Sequence, residues 1–99
     1  MIEGVITKVI RKFPDERGWL AEVYREDELV GIPRPAMTYI SVTHPGIARG
    51  PHEHVFQTDY FCFLGPSNFK VWLWDNRKKS PTFGQNMTIE AGQDHPMMV

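Results

Sequence analysis

The sequence has a single cysteine, no sustained apolar run and no surplus of either charge. Each shortage excludes something. Cys62 alone cannot form an internal disulfide, and its place within the apolar run Tyr60 to Leu64 predicts a buried thiol in a reducing compartment. The N-terminus MIEGVITKVIRKF breaks every apolar stretch with charge, so it offers neither a signal h-region nor a span of about 20 apolar residues. The expected setting is the cytoplasm, with no membrane partner. Eleven Lys and Arg against twelve Asp and Glu leave none of the basic excess that a phosphate backbone demands, which argues against nucleic acid. Helical periodicity of useful length, internal repeats, low-complexity tracts and interdomain linkers are absent too.

What is present suits a small globular chain. Ninety-nine residues fit one domain with a small core, and a 41% hydrophobic content can fill it. Ile2 to Ile10 and Trp19 to Arg25 have strand composition, separated by the turn Phe13-Pro14-Asp15-Glu16-Arg17-Gly18. Charges with Gly31, Pro33 and Pro35 make Glu26 to Pro35 a surface connection, with room for one helical turn. Met37 to Thr43 alternates and predicts a half-buried strand. Gln57 to Leu64 is β-rich and ends at Gly65-Pro66-Ser67-Asn68, a hairpin signal that makes Phe69 to Asp75 its expected partner. Both faces of that partner carry bulk, Phe69, Val71 and Leu73 against Lys70, Trp72 and Trp74, so a two-layer structure should bury both. Met87 to Glu90 and Met97 to Val99 are further short strands. Many short strands with turns between them predict an all-β jelly-roll barrel. The apolar ending Met97-Met98-Val99 predicts a barrel incomplete in this chain or completed by a partner chain. One domain is expected over 1–99, with an N-terminal arm at 1–36 and jelly-roll strands at 37–99.

The stretch from Gly46 through His52, His54 and Asp59 to Gly65 carries the most chemistry and resembles the first cupin motif. An HxH pair on a strand turns both imidazoles to one face, and a carboxylate from the next strand can join them. His52, His54 and Asp59 are therefore one candidate set for a divalent metal. The other reading makes the two histidines hydrogen-bonding groups of a ligand pocket. Asp59 stands where that motif has Glu, the spacing to Gly65 is one residue short, and nothing after Gly65 matches a second motif.

Three further segments are shared with one family. Phe13-Pro14-Asp15-Glu16-Arg17-Gly18-Trp19-Leu20-Ala21-Glu22, Gly46-Ile47-Ala48-Arg49-Gly50-Pro51-His52, and Trp74-Asp75-Asn76-Arg77 with Ser80-Pro81-Thr82-Phe83-Gly84 resemble the N-terminal half to two-thirds of the dTDP-4-dehydrorhamnose 3,5-epimerases. The resemblance implies a cupin fold and epimerisation beside a 4-keto group of a nucleotide-linked sugar, with no cofactor. A histidine takes the proton and a lysine steadies the enolate. It makes His52 the general base, Arg49 a ligand-binding residue, and Arg17, Trp19 and Glu22 residues that close the pocket on the substrate; His54, where the family has Gln, is a further candidate substrate-binding residue as one of the two pocket histidines. Arg17 suits a diphosphate through its planar fork. It also implies a homodimer that exchanges N-terminal strands, so that Arg17, Trp19 and Glu22 serve the neighbour's site. The lysine's place is taken by Asp59-Tyr60, and no lysine falls between His52 and Lys70. Met37 and Tyr39 replace polar ligand-facing residues, and the acid tyrosine and the carboxylate partner of the histidine would lie beyond Val99. Trp72 and Trp74 with Phe56 and Phe61 are a candidate aromatic wall for a base.

Overall fold

A computed structural model describes residues 1–99. The chain is all-β, without a helix, and forms three small antiparallel sheets, none of which closes into a barrel. Seven strands run in chain order: β1 (Lys8–Val9), β2 (Lys12–Asp15), β3 (Gly18–Ala21), β4 (Cys62–Phe63), β5 (Asn68–Trp74), β6 (Asn86–Gly92) and β7 (Met97–Met98).

The β2–β3 hairpin follows from its turn residues. Asp15 Oδ1 accepts the Arg17 N–H at 2.7 Å and Oδ2 accepts Arg17 Nη2 at 2.8 Å, closing the loop from within. Gly18 then takes φ +141°, which side chains rarely adopt, opposite Asp15. The hairpin is tied to the far half of the chain by Lys12, whose Nζ donates to the Leu64 carbonyl at 2.9 Å and lies 4.3 Å above the Trp19 ring.

The first and last strands meet in the three-stranded sheet, ordered β1-β7-β4. Reciprocal backbone bonds between Phe61 and Val99, at 2.9 and 2.8 Å, extend the β4–β7 pairing by one step. This sheet builds the core of Ile10, Leu29 and Met98, against which Ala21, Ile32, Tyr60 and Leu64 pack. Leu29 reaches it from the surface connection, which holds two turns closed by Glu28 N–H to Arg25 and Ile32 N–H to Leu29, instead of a helix.

The longest pairing is β5 with β6, and here the structure corrects the sequence-based partner. Gly65-Pro66-Ser67-Asn68 is no hairpin loop: β4 bonds to β7, and β5 bonds to β6 from Asn68↔Gly92 to Trp74↔Asn86. The register explains the choice, since Phe69 meets Ala91, Val71 meets Ile89 and Leu73 meets Met87 on one half-buried face. Lys70, Trp72 and Trp74 stay exposed on the other, so only one face of β5 is covered.

Two other expectations fail. Met37 to Thr43 forms no strand, and every residue of it but the half-buried Thr43 is exposed, Ile40 to 95%. From Pro33 to Tyr60 one backbone–backbone hydrogen bond forms, Ile47 N–H to His44. The alternation remains, but no neighbouring strand is there to bond it. Cys62 is an exposed residue, although partial burial of its sulfur, 3.8 Å from the Val23 carbonyl, pushes the thiol pKa up.

The openness has a size. The accessible surface is 8445 Å², against about 5,800 Å² for a folded monomer of this mass. The radius of gyration, 14.7 Å, likewise exceeds the roughly 13 Å of a compact 100-residue domain.

Candidate functional site

The residues that carry the chemistry sit on the long segment between β3 and β4. Arg49 folds back on the segment that precedes it, with Nε donating to Thr43 Oγ1 at 2.6 Å and Nη2 to the Val42 carbonyl at 2.7 Å. Nη1 makes no hydrogen bond within the chain. Gly50 follows at φ +106°, and a Cβ there would lie 3.2 Å from His52 Cδ2. Glycine is therefore what lets the backbone pass so close beneath the imidazole.

His52 is exposed and lies on no strand, so the HxH pair is not presented from a sheet face. His54 Nε2 lies 3.3 Å from Asp59 Oδ2, and Gln57 Nε2 donates to the other carboxylate oxygen at 2.6 Å. The three-ligand metal set is not assembled. His54 and Asp59 meet, His52 does not join them, and no group of three His, Cys, Asp or Glu side chains converges anywhere in the chain. Asp59 is thus engaged by an imidazole and an amide, with no cation beside it.

Between the two histidines, Glu53 accepts from Asn76 Nδ2 through both carboxylate oxygens, at 3.4 and 3.3 Å. Sequence reasoning left out Glu53 and named Asn76 only as part of the shared Trp74-to-Arg77 segment. Glu53 has the look of a solvated charge between two histidines, and no local signal points from position 53 to position 76.

The early segment is organised separately. Arg17 is spent on Asp15 and its side chain is 90% exposed; Trp19 lies under Lys12; Glu22 accepts from Arg25 Nη1 at 3.3 Å. None of their hydrogen bonds or ion pairs reaches residues 49–59. A hollow of about 750 Å³ lines the connection from Tyr24 to Arg34, away from His52. Its cations are taken, Arg25 by Glu22, Asp27 and Glu28, and Arg34 by Glu26.

The aromatic wall is also dispersed. Phe56 is 99% exposed, Phe61 stacks on Phe63 with centroids 6.1 Å apart, and Trp72 and Trp74 stand on the open face of β5 beside Lys70.

The remaining cluster lies where β5 turns toward β6. Asp75, the one charged residue buried in the chain, accepts from Arg77 Nε at 2.8 Å and Nη2 at 3.0 Å, from Ser80 Oγ at 2.5 Å and from Thr82 Oγ1 at 2.6 Å. The Arg77 guanidinium first, then the two hydroxyls, hold its carboxyl well below the usual range. Glu3 is clasped to the same knot, its N–H donating to Thr82 Oγ1 at 2.9 Å and its carbonyl accepting from Arg77 Nη2 at 2.5 Å. The segment Asp75-Asn76-Arg77 with Ser80-Pro81-Thr82 is thus a structural latch.

The open, all-β chain, with small sheets and no closed barrel, has the character of an incomplete cupin-like fold. The profile of the dTDP-4-dehydrorhamnose 3,5-epimerases matches residues 1–99, and the chain belongs to that family. It is 33% identical over 99 residues to a spore coat polysaccharide biosynthesis protein of Bacillus subtilis, covering all of this chain and 64% of that protein. It is 37% identical over 100 residues to a probable low-salt glycan biosynthesis epimerase of Haloferax volcanii, covering 99% of this chain and 63% of that one. The chain therefore spans slightly under two thirds of the length of these curated relatives. No solved structure matches it. No helix is long and apolar enough to cross a membrane.

Proposed function

We propose that the protein acts in glycan biosynthesis as an epimerase of a nucleotide-linked 4-keto deoxysugar, in the cytoplasm. Membership of the family along the whole chain carries this reading, and the resemblance of the Gly46-to-His52 segment assigns Arg49 to ligand binding and His52 to the base. His52 takes a proton from the carbon beside the ketone, the bonding pair moves to the carbonyl oxygen as an enolate, and return of a proton to the opposite face inverts the centre. The uncommitted Nη1 of Arg49 binds an anionic part of the substrate. Arg17, Trp19 and Glu22, which make no hydrogen bond or ion pair with the His52 segment in their own chain, serve a second copy in a homodimer. A dTDP-linked sugar is the substrate to try first.

The test is proton exchange. Incubation with dTDP-4-keto-6-deoxyglucose in deuterated water should place deuterium at C3 or C5, read by NMR. Absence of label at both carbons sinks the epimerase reading. One observation favours a second reading, a sugar-nucleotide-binding module without turnover: the lysine's place holds Asp59, already engaged by His54 and Gln57. Thermal stabilisation by the sugar nucleotide with no deuterium uptake is its signature.

A further inference from the structure

The loop from Val42 to Arg49 closes on itself at both ends. At its tip Pro45 and Gly46 form a turn, in which the Ile47 N–H donates to the His44 carbonyl at 3.2 Å and Gly46 takes φ +79°. Proline ahead of a left-handed glycine is the pair that such a turn favours. At its base the Arg49 side chain reaches back, Nε to Thr43 Oγ1 at 2.6 Å and Nη2 to the Val42 carbonyl at 2.7 Å. These three hydrogen bonds all lie within the loop, and none joins it to a strand.

The two side-chain bonds fix more than a distance. A guanidinium is planar, so two of its nitrogens held on acceptors from adjacent residues set the direction of the whole group. Both bonds are at the short end for N–H to O. Nε and Nη2 are spent on the chain in this way, and Nη1 is the corner without a partner.

Thr43 is suited to that task. It is the one residue from Ala36 to Thr58 that is not exposed. Its β-branched side chain has few χ1 states, so the Oγ1 acceptor is in place before Arg49 arrives. Water reaches both bonds, and their worth to folding is small. What they remove is rotational freedom, which a long side chain otherwise gives up on meeting a ligand.

We propose that Thr43 is a positioning residue: its hydroxyl, with the Val42 carbonyl, holds the Arg49 guanidinium so that Nη1 is presented to the anionic part of a ligand. Thr43 acts on Arg49 and not on the ligand. That Nη1 meets a substrate rests on the epimerase reading; that Thr43 holds the guanidinium does not.

The orientation is read by nitrogen-15 NMR of the Arg49 side chain. In the parent, Nε–H should exchange slowly with water, and rotation about Nε–Cζ should be slow enough to resolve Nη1 from Nη2. Thr43→Val keeps the side-chain shape and removes the acceptor, so it should merge the two Nη signals and speed the exchange. Thr43→Ser keeps the hydroxyl and should keep the parent pattern. Merged Nη signals in the parent, a Thr43→Val spectrum like the parent's, or a Thr43→Ser spectrum like that of Thr43→Val would each overturn the proposal.

Binding is measured by calorimetric titration with dTDP alone. Its Kd should rise about 2- to 10-fold in Thr43→Val and stay at the parent value in Thr43→Ser. Arg49→Ala should weaken binding about 10- to 100-fold, and Thr43→Val should then add nothing. A Thr43→Val loss of the same size with and without Arg49 would mean that Thr43 does not act through the guanidinium, and the proposal would fall. In deuterium uptake, Thr43→Val should raise KM by the same factor and leave kcat unchanged, as befits a group that binds and does not react. If the NMR pattern follows this order while the parent binds no dTDP, the clamp stands and the nucleotide-linked substrate falls.

Discussion

Asp75 and Arg77 close on each other two residues apart, with Oδ1 taking the Arg77 N–H at 3.1 Å and Nε at 2.8 Å while Oδ2 takes Nη2 at 3.0 Å. This fixes the sign of a pH dependence. The folded carboxyl is held below its ordinary value, so the unfolded chain binds the proton more readily. The stabilisation is fully present above about pH 4 and drains away as the pH falls from there toward the depressed folded value. Thermal melts should be flat from pH 7 to 5 and fall steeply below 4, and Asp75→Asn should lower the melting temperature at pH 7 while flattening that acid limb. The Asp15 and Asp27 carboxyls are lowered as well, by Arg17 and Arg25, but both are exposed. Asn substitutions there should leave the acid limb in place, and added salt should erase what effect they have. An unaltered acid limb in Asp75→Asn would show that the latch contributes nothing to stability.

Gly92 ends β6 opposite Asn68 with its backbone at φ +139°. A Cβ there would fall 2.4 Å from the Ser67 carbonyl oxygen and 2.7 Å from Asn68 Cα, both main-chain atoms that cannot swing away. Gly92→Ala should cost about 2–4 kcal/mol, from backbone strain and overlap together, and should shift the amide signals of β5 and β6 before any others. A melting temperature within a degree of the parent would mean that the β5 start is free to move.

Burial divides the aliphatic residues sharply. Met98 is 2% exposed between Ile10 and Leu29, whereas Ile40 is almost bare. Met98→Ala should cost about 2–3 kcal/mol in urea titration, and Ile40→Ala less than about 0.5 kcal/mol in the isolated chain. If Ile40→Ala instead costs as much as Met98→Ala, the segment from Met37 to Thr43 is covered in solution.

That segment also shows what a sequence can carry. The β2–β3 turn was legible because Asp15, Arg17 and Gly18 supply its bonds and its backbone angle locally. The Arg49-to-His52 motif was legible because its residue types lie next to one another. The partner of β5 was not, since a Gly-Pro-Ser-Asn corner announces a change of direction without naming the next strand. Residues 86–92 won through long-range pairs such as Val71 with Ile89. Alternation in Met37 to Thr43 predicted a strand for the same reason it failed to give one: pleating needs a neighbour, and none bonds it. Glu53 and Asn76 were invisible as a pair because a single hydrogen bond 23 positions apart leaves no periodic trace.

Gly50 joins backbone geometry to the proposed base. Alanine there meets two obstacles, the φ of +106° and His52 itself, with Cδ2 at 3.2 Å, the backbone nitrogen at 3.4 Å and Nε2 at 3.6 Å. Gly31 meets only the first, because its φ is +82° and nothing lies within 4 Å of its added Cβ. Both Gly→Ala variants should lose about 1–2 kcal/mol from backbone strain. Deuterium uptake separates them: Gly31→Ala should keep the parent rate, and Gly50→Ala should fall by about 10- to 100-fold because the ring must swing off the reacting carbon. His52→Ala sets the floor, a loss of about 10²- to 10⁴-fold if this imidazole takes the proton. Should Gly50→Ala melt like Gly31→Ala and still exchange at the parent rate, the ring that Gly50 shelters is not the one that takes the proton, and the base must be sought elsewhere in the loop.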